Sequence, residues 1–482
     1  MGGIPKQHAI NRRGFLRALG MGTAALALPR LMSAFSSHER KVNFVFILID
    51  DMGWPDLGCY GNKFHETPNI DRLARQGMRF TDAYAACPVC SPTRASIVAG
   101  QYPARLGITD FIPGHWRPYE KLRVPINRQQ HLPLESITIA EALKPAGYVS
   151  GAFGKWHLGG GMFYPNRQGF DSMLVTSGRH FGFRTTPKIE TGKNSYLAEV
   201  ITEQGEKFIE ANKDRPFFLY LSHFAVHIPL QARRELIEKY ENRPKPKTGV
   251  NNPIYAAMVE HVDQSVGRIL EKLDELNLAD RTVVVFFSDN GGLRQRFDGK
   301  GEVVSTNAPL RDEKGTLYEG GIREPLIVRW PGVVKPGSVC HVPVSSVDFC
   351  PTFLEIGGST GVPSHVLDGE SLVPLLRRSG KLRRDAIFWH YPHYHHSTPA
   401  GAIRQGDWKL IEFYEDNRLE LYNLRTDIRE KTNLASKMPK KARELQQRLA
   451  AWLRSVNAQM PTSNPAFDPA RRLEWGRHPG RK

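Results

Sequence analysis

The sequence predicts an α/β fold with a mostly parallel central sheet, followed by a smaller C-terminal unit built on an antiparallel sheet. Three features carry this. Nearly continuous apolar runs end abruptly in polar residues, helical periods lie between them, and short strand-like segments take over after about residue 375.

The first run, residues 42–49, reads Val-Asn-Phe-Val-Phe-Ile-Leu-Ile and stops at Asp50-Asp51. So apolar a stretch fits a strand buried on both faces. A second run, 283–287, stops at Ser288-Asp289-Asn290-Gly291-Gly292, and a third, 216–221, leads to His223 and His227. Open α/β sheets bind ligands beyond the carboxyl ends of their strands, so these polar ends point to one crevice. Val259, Val262, Val266, Ile269, Leu270, Leu273 and Leu276 recur at helical steps and mark one face of an amphipathic helix. A shorter helix ends over 141–144, before Pro145-Ala146-Gly147. Residues 243–252, with two prolines and a glycine, read as a loop.

Arg377, Arg378, Lys381, Arg383 and Arg384 form a basic, exposed junction. Beyond it, 386–391, 401–403, 408–414 and 418–422 read as short strands, and 440–458 as a helix to pack on them. The tail after Met460, rich in Pro and Arg, reads as extended over the surface. The expected divisions are a leader over 1–34, a catalytic domain over 41–375, a C-terminal α+β subdomain over 376–460 and the tail over 461–482.

At 482 residues, the chain has room for two domains. It holds no stretch of about 18 apolar residues, which argues against a spanning helix and against stable membrane insertion. No fixed-period repeat suggests a solenoid or propeller. At the N-terminus, Arg12 and Arg13 precede Phe15, Leu16 and Arg17, and then an apolar run over 18–28. As a helix that run would reach only roughly 16 Å, too short for a bilayer core. With small residues near Ser33 and Ala34, the segment resembles a bacterial twin-arginine signal peptide. It departs from the usual pattern at Asn11, where Ser or Thr is common, and at Arg17, where Lys is common; the plainer alternative is a disordered basic terminus. The signal implies export of the folded chain to the periplasm or beyond.

The net charge is +17, and Lys6, Arg12, Arg13, Arg17 and Arg30 supply only part of it. A basic surface concentrates anions. Sulfated polysaccharide suits an exported protein. Nucleic acid suits the charge equally, but no nucleic-acid motif is present, and no nucleic-acid partner is expected. The ordinary alternative is a solvated basic surface. Five cysteines, Cys59, Cys87, Cys90, Cys340 and Cys350, are too few and of the wrong parity for a disulfide framework.

Cys87-Pro88-Val89-Cys90 invites a redox reading, but that reading needs a thioredoxin-like βαβ context, which the surrounding sequence lacks. The chain continues Ser91-Pro92-Thr93-Arg94-Ala95-Ser96-Ile97-Val98-Ala99-Gly100. From Pro88 to Gly100 this resembles the signature of the formylglycine-dependent type I sulfatases. There Cys, any residue, Pro, a small residue and Arg mark the cysteine for oxidation to an aldehyde. The segment 147–157, ending Gly154-Lys155-Trp156-His157, resembles a second sulfatase signature. Alone, a Lys and a His two apart would read as the solvated face of a strand. Val226-His227-Ile228-Pro229 and the segment 308–321 around Lys314 resemble two more sulfatase segments, and the motifs keep the family's order over roughly 41–425.

The resemblance implies an alkaline-phosphatase-like fold, a large central mixed, mostly parallel sheet flanked by helices. It implies a sulfuric ester hydrolase, and a polysaccharide sulfatase fits the export signal. It makes Cys90 the formylglycine, produced by a formylglycine-generating maturation enzyme. A hydrated aldehyde carries two hydroxyls: one attacks sulfur, and loss of the proton from the other expels sulfate. Arg94 and Lys155 are implied to hold that group and His157 to act as base. His227 is implied to protonate the leaving alcohol, and Lys314 to bind sulfate. Asp50, Asp51, Asp289 and Asn290, with the modified Cys90, make the implied metal set. Oxygen donors select calcium, with magnesium possible, over zinc.

A phosphonate monoester or phosphodiester hydrolase of the same superfamily would use the same nucleophile and metal. A non-catalytic binding protein on this fold is a further alternative. For the sugar itself, the ring-rich run Trp389-His390-Tyr391-Pro392-His393-Tyr394-His395-His396 nominates His393, His395 and His396, and the stretch 177–180 nominates His180. The run reads equally as a surface loop or an adventitious metal site.

Overall fold

The computed structural model describes residues 41–296, 299, 301–359, 361 and 365–480. The leader expected over 1–34 lies outside the described residues.

Seven strands form the body of the large sheet: β1 (Asn43–Ile49), β2 (Met78–Tyr84), β3 (Val149–Gly154), β4 (Ser172–Thr176), β5 (Phe217–Ser222), β6 (Thr282–Ser288) and β7 (Arg323–Arg329). Their order is β2-β7-β6-β1-β5-β3-β4, with short strands at both edges. β6, β1, β5, β3 and β4 run parallel, while β7 is antiparallel to both β6 and β2. The sheet is thus mixed and mostly parallel, as expected. The three apolar runs became β1, β6 and β5, and every residue of each is buried.

Side-chain alternation on β1 shows why the runs had to be apolar throughout. Phe44, Phe46 and Leu48 join one core with Ile97 and Val98 of the helix α2 (Cys90–Ala99), which follows α1 (Pro68–Gln76), and with Phe349 and Phe353 of a helix at Phe349–Gly357. Val45, Ile47 and Ile49 join the opposite core with two long helices, Leu197–Ala211 and Pro253–Glu275. The second of these is the helix expected from the periodicity of Val259 to Leu276. Both faces are covered, so neither can be polar.

The C-terminal strands Ala386–Tyr391, Ala400–Gln405, Trp408–Phe413 and Leu419–Asn423 form a separate four-stranded antiparallel sheet. One face packs Trp389, Ala402 and Ile411 against Tyr84, Val89 and Leu317 of the larger body. The other packs Ile403, Leu410 and Leu421 against Leu445 and Leu449 of the helix Pro439–Ser455. The tail returns to the larger body, where Thr462–Ser463 pairs with Leu122–Arg123. Among the described residues no helix is long and apolar enough to cross a membrane.

Candidate active site

Four parallel strand ends and one helix start converge. Asp50 and Asp51 follow β1, Lys155 and His157 follow β3, Ser222 ends β5 with His227 beyond it, and Asp289 and Asn290 follow β6. α2 begins at Cys90, and the four-residue step to Arg94 puts both side chains on one face of the helix.

Arg94 is fully buried and ties the strand ends together. Its Nε donates to Asp289 Oδ2 at 2.8 Å, and Nη1 donates to the Lys155 carbonyl at 2.8 Å and to Ser222 Oγ at 2.6 Å. Lys155 Nζ donates to Asp50 Oδ2 at 2.5 Å. Lys314 Nζ donates to both Asp51 oxygens at 2.6 and 2.8 Å and stands 3.8 Å from Cys90 Sγ. Asn290 Nδ2 donates to Asp51 Oδ1 at 2.7 Å. Asp51 and His157 both adopt left-handed backbone, with φ of 62° and 58°. Non-glycine residues in that region carry a conformational cost and gather at functional sites.

Two acceptors remain unspent: Asp50 Oδ1 and Asn290 Oδ1 are buried without a hydrogen-bond partner. Side-chain ligand atoms of Asp50, Asp51, Cys90 and His227 lie within 4.8 Å of one another. A buried acceptor left unpaired costs about 1–3 kcal/mol, a cost that a bound cation removes. Oxygen donors from Asp50, Asp51, Asp289 and Asn290 fit a hard divalent cation.

The electrostatics agree. Burial alone would raise the Asp50 carboxyl, but Lys155, His227, Arg94 and Lys314 hold it below the usual carboxylate range. At Asp289 burial prevails, helped by the Asp50 charge, and pushes the carboxyl up to about 7. Positive charge placed between the two would reverse that. Burial also pushes the Cys90 thiol up to about 11, against Lys155 and Lys314. The unmodified thiol is therefore a poor source of thiolate. Cys87 is pushed well above its ordinary value, again by burial, so the pair lacks the acidic thiol that redox chemistry needs.

Two histidines differ in which nitrogen is spent. His157 Nε2 lies 2.7 Å from the Ile112 carbonyl, so it must be the donor, and Nδ1 keeps a lone pair with no partner. Burial, with Lys155 adding to it, holds this ring well below its ordinary value, so it is neutral, with the Nδ1 lone pair open to accept a proton. His227 Nδ1 donates to the Ile228 carbonyl at 2.6 Å, and its Nε2 faces Asp51 Oδ2 at 3.6 Å. Burial lowers the His227 value while Asp51 opposes it.

Cys90, Lys155, His157, His227 and Lys314 all border a cavity of about 520 Å³. A larger cavity of about 1090 Å³, lined by Tyr60, Lys63, Arg311 and Lys431, contains none of them. The structure thus brings together every residue assigned a catalytic or metal role from sequence. Of the four histidines nominated for the sugar, it brings one to the cavity. His395 borders the cavity. His180 is buried, with Nε2 2.8 Å from the His227 carbonyl, and its ring lies near Tyr196 and Phe224. His393 is buried, with Nε2 2.8 Å from Thr109 Oγ1. His396 bonds the carbonyls of Lys314 and Gln295. These three rings are spent on the protein and do not line the cavity, contrary to the sequence expectation. His223 also turns away, to Ser265.

Sequence reasoning missed Ser222, which receives Arg94, and the lining residues Phe111, His115, Phe224 and Arg296. Ser222 had one available signal, as the first polar residue after an apolar run.

The sulfatase family model matches residues 42–359, and the model for the N-sulphoglucosamine sulphohydrolase C-terminal region matches 312–459. The chain is 33% identical to a sulfatase of Formosa agariphila, over 90% of this chain and 93% of that one. It is 33% identical to human arylsulfatase A, over 81% of this chain and 78% of that one. Among solved structures, it is similar to Ps i-CgsB in complex with k-i-k-neocarrahexaose, with a TM-score of 0.74 and 29% identity over 89% of this chain and 95% of that one.

Proposed function

The chain belongs to the sulfatase family, and on that premise we propose that it removes sulfate from a sulfated carbohydrate, with Cys90 as the position of a formylglycine nucleophile. One observation carries the reading. Cys90 sits at a helix start beside Lys314, facing Asp50, Asp51 and His227, at the wall of an open cavity.

The geometry supports a role for each residue. Lys314, already against Cys90, is placed to hold a sulfate oxygen. Arg94 fixes Asp289 and the ends of β3 and β5, and so keeps the site in register. Lys155 neutralises Asp50 and borders the same space. The His157 Nδ1 lone pair would accept the proton that the nucleophile's second hydroxyl must lose. His227, once protonated at Nε2, carries a proton beside Asp51 toward the leaving alcohol. An alkoxide leaves poorly, so such help is worth about 10²–10⁴-fold. Calcium or magnesium held by Asp50, Asp51, Asp289 and Asn290 would supply positive charge to the sulfate. Formylglycine formed by a maturation enzyme would supply the hydroxyl nucleophile that a buried thiol of high pKa does not.

The sugar class is supported by the +17 charge and by the relatives, one of them solved with k-i-k-neocarrahexaose. Export by the twin-arginine route to the periplasm or beyond rests on the sequence of residues 1–34 alone.

The deciding experiment measures kcat/KM for an aryl sulfate, an aryl phosphodiester and an aryl phosphonate, together with sulfate release from sulfated oligosaccharides. Sulfate esters should be preferred, with sulfate released from at least one oligosaccharide. A preference for the phosphodiester or phosphonate would move the chain to the neighbouring hydrolase activity. A single-turnover assay without product would make it a binding protein.

A further inference from the structure

We propose that the C-terminal tail is part of the substrate cleft, and that Trp475 is a stacking platform for a sugar ring next to the one that carries the sulfate. The inference rests on the sulfated-carbohydrate reading and deepens it. His395 packs against the Lys314 segment: a Cβ placed on Gly315 would stand 2.0 Å from its Nδ1. The His395 ring stacks on His115 at 5.0 Å and 29°, and His115 meets Trp475 at 4.8 Å. His395 and His115 line the cavity, whereas Trp475 lies one ring further out and keeps 39% of its surface exposed. A row of rings therefore leads from the sulfate-holding lysine to an exposed indole.

The tail is held too firmly to lie there by accident. Thr462–Ser463 pairs with Leu122–Arg123. Asn464 Nδ2 donates to the carbonyls of Pro118 and Glu120 at 2.9 and 2.7 Å. Arg472 meets Glu120 at 2.9 Å, and the Gly476 amide donates to the Trp116 carbonyl at 2.9 Å. The Arg117 guanidinium lies 4.2 Å from the Trp475 ring centroid and fixes it. All these anchors lie within 116–123, the segment that continues from the lining residues Phe111, Ile112 and His115. The CH groups of a sugar pack on the electron-rich face of an indole, and Trp475 keeps part of its surface open at the end of this row. With its sulfate at Lys314, a bound oligosaccharide would lay its next ring along this row.

The test compares wild type with Trp475→Ala and Trp475→Phe on a small aryl sulfate and on carrageenan and chondroitin sulfate hexasaccharides. Binding of the same hexasaccharides is measured by calorimetry in a Cys90→Ala background, so that the platform is read whether or not sulfate is released. Trp475→Ala should lower hexasaccharide affinity and kcat/KM by about tenfold, near the upper end for one aromatic contact. Aryl sulfate turnover should be unchanged, and Trp475→Phe should retain most of the affinity. Equal losses on aryl sulfate and hexasaccharide would mean that the tail only braces the cavity wall, and unchanged affinity for both hexasaccharides would also overturn the platform. Failure of the carbohydrate reading itself would show separately, as wild type that turns over aryl sulfate but neither hexasaccharide.

Discussion

Asp50, Asp51, Asp289, Arg94, Lys155 and Lys314 form one buried cluster of three acids and three bases, and Asp82, Glu319, Glu430, Arg323, Arg404 and Lys409 form another. In the second, Lys409 lies 2.8 Å from Glu319 and 2.9 Å from Glu430, Arg323 lies 2.6 Å from Glu319, and Arg404 lies 2.7 Å from Asp82. That cluster sits between the two sheets; none of its members borders the active-site cavity, and the one acceptor it leaves without a hydrogen bond, Glu430 Oε1 on the wall of the larger cavity, still has the Lys409 ammonium at 2.9 Å. The first is equally well paired, yet it leaves Asp50 Oδ1 and Asn290 Oδ1 unspent and opens through Lys155 and Lys314 onto the cavity. Buried charge alone therefore does not mark a site. Unspent acceptors with no cation within hydrogen-bond reach, beside lysines that open onto a cavity, do, because they are free energy held back for a ligand.

The two clusters should respond differently to substitution. The largest effect belongs to Cys90→Ala, which should lower kcat by roughly 10⁶-fold, as loss of a covalent nucleophile does, with no change in Tm. A large fall in Tm would move Cys90 from chemistry to packing. Asp289→Ala should lose bound metal by elemental analysis, and with it turnover, at a cost on the order of several kcal/mol in the barrier. Wild-type metal content in that variant would show the ligand set to be wrong. His227→Ala should cost about 10²–10⁴-fold in kcat on alkyl sulfates and far less on an aryl sulfate with a good leaving group. Equal losses on both would remove His227 from proton transfer.

Lys409→Met probes the other cluster. It strands Glu319 and Glu430 in the interior and should destabilise the fold by about 3–5 kcal/mol, read by denaturant unfolding. The kcat of the folded fraction should stay at wild type. A fall in kcat without a loss of stability would mean that the two clusters are coupled and the contrast between them false.

Burial on two faces was legible in the sequence. β1, β5 and β6 are apolar throughout because helices cover both sides, and their polar ends therefore marked the crevice. β2 and β7 were not recognised. Arg79 and Asp82 interrupt one, and Arg323, Glu324 and Pro325 open the other. Only the folded chain shows that Arg323 has Asp82 and Glu319 as partners. Lys314 and Cys90 stand 224 residues apart in the chain, and only the resemblance joined them. The histidine run pointed to the cavity at His395 but not at His393 or His396, for a simple reason. A ring that bonds a backbone carbonyl, as His396 does, and a ring that waits for a sugar are the same letter in sequence.

Whether Cys90 acts as formylglycine is read without intermediaries by intact-peptide mass spectrometry of the Cys90 fragment from active protein. The aldehyde should replace the thiol in a fraction that rises and falls with specific activity from one preparation to the next. Fully active protein that carries only the unmodified Cys90 thiol would contradict it.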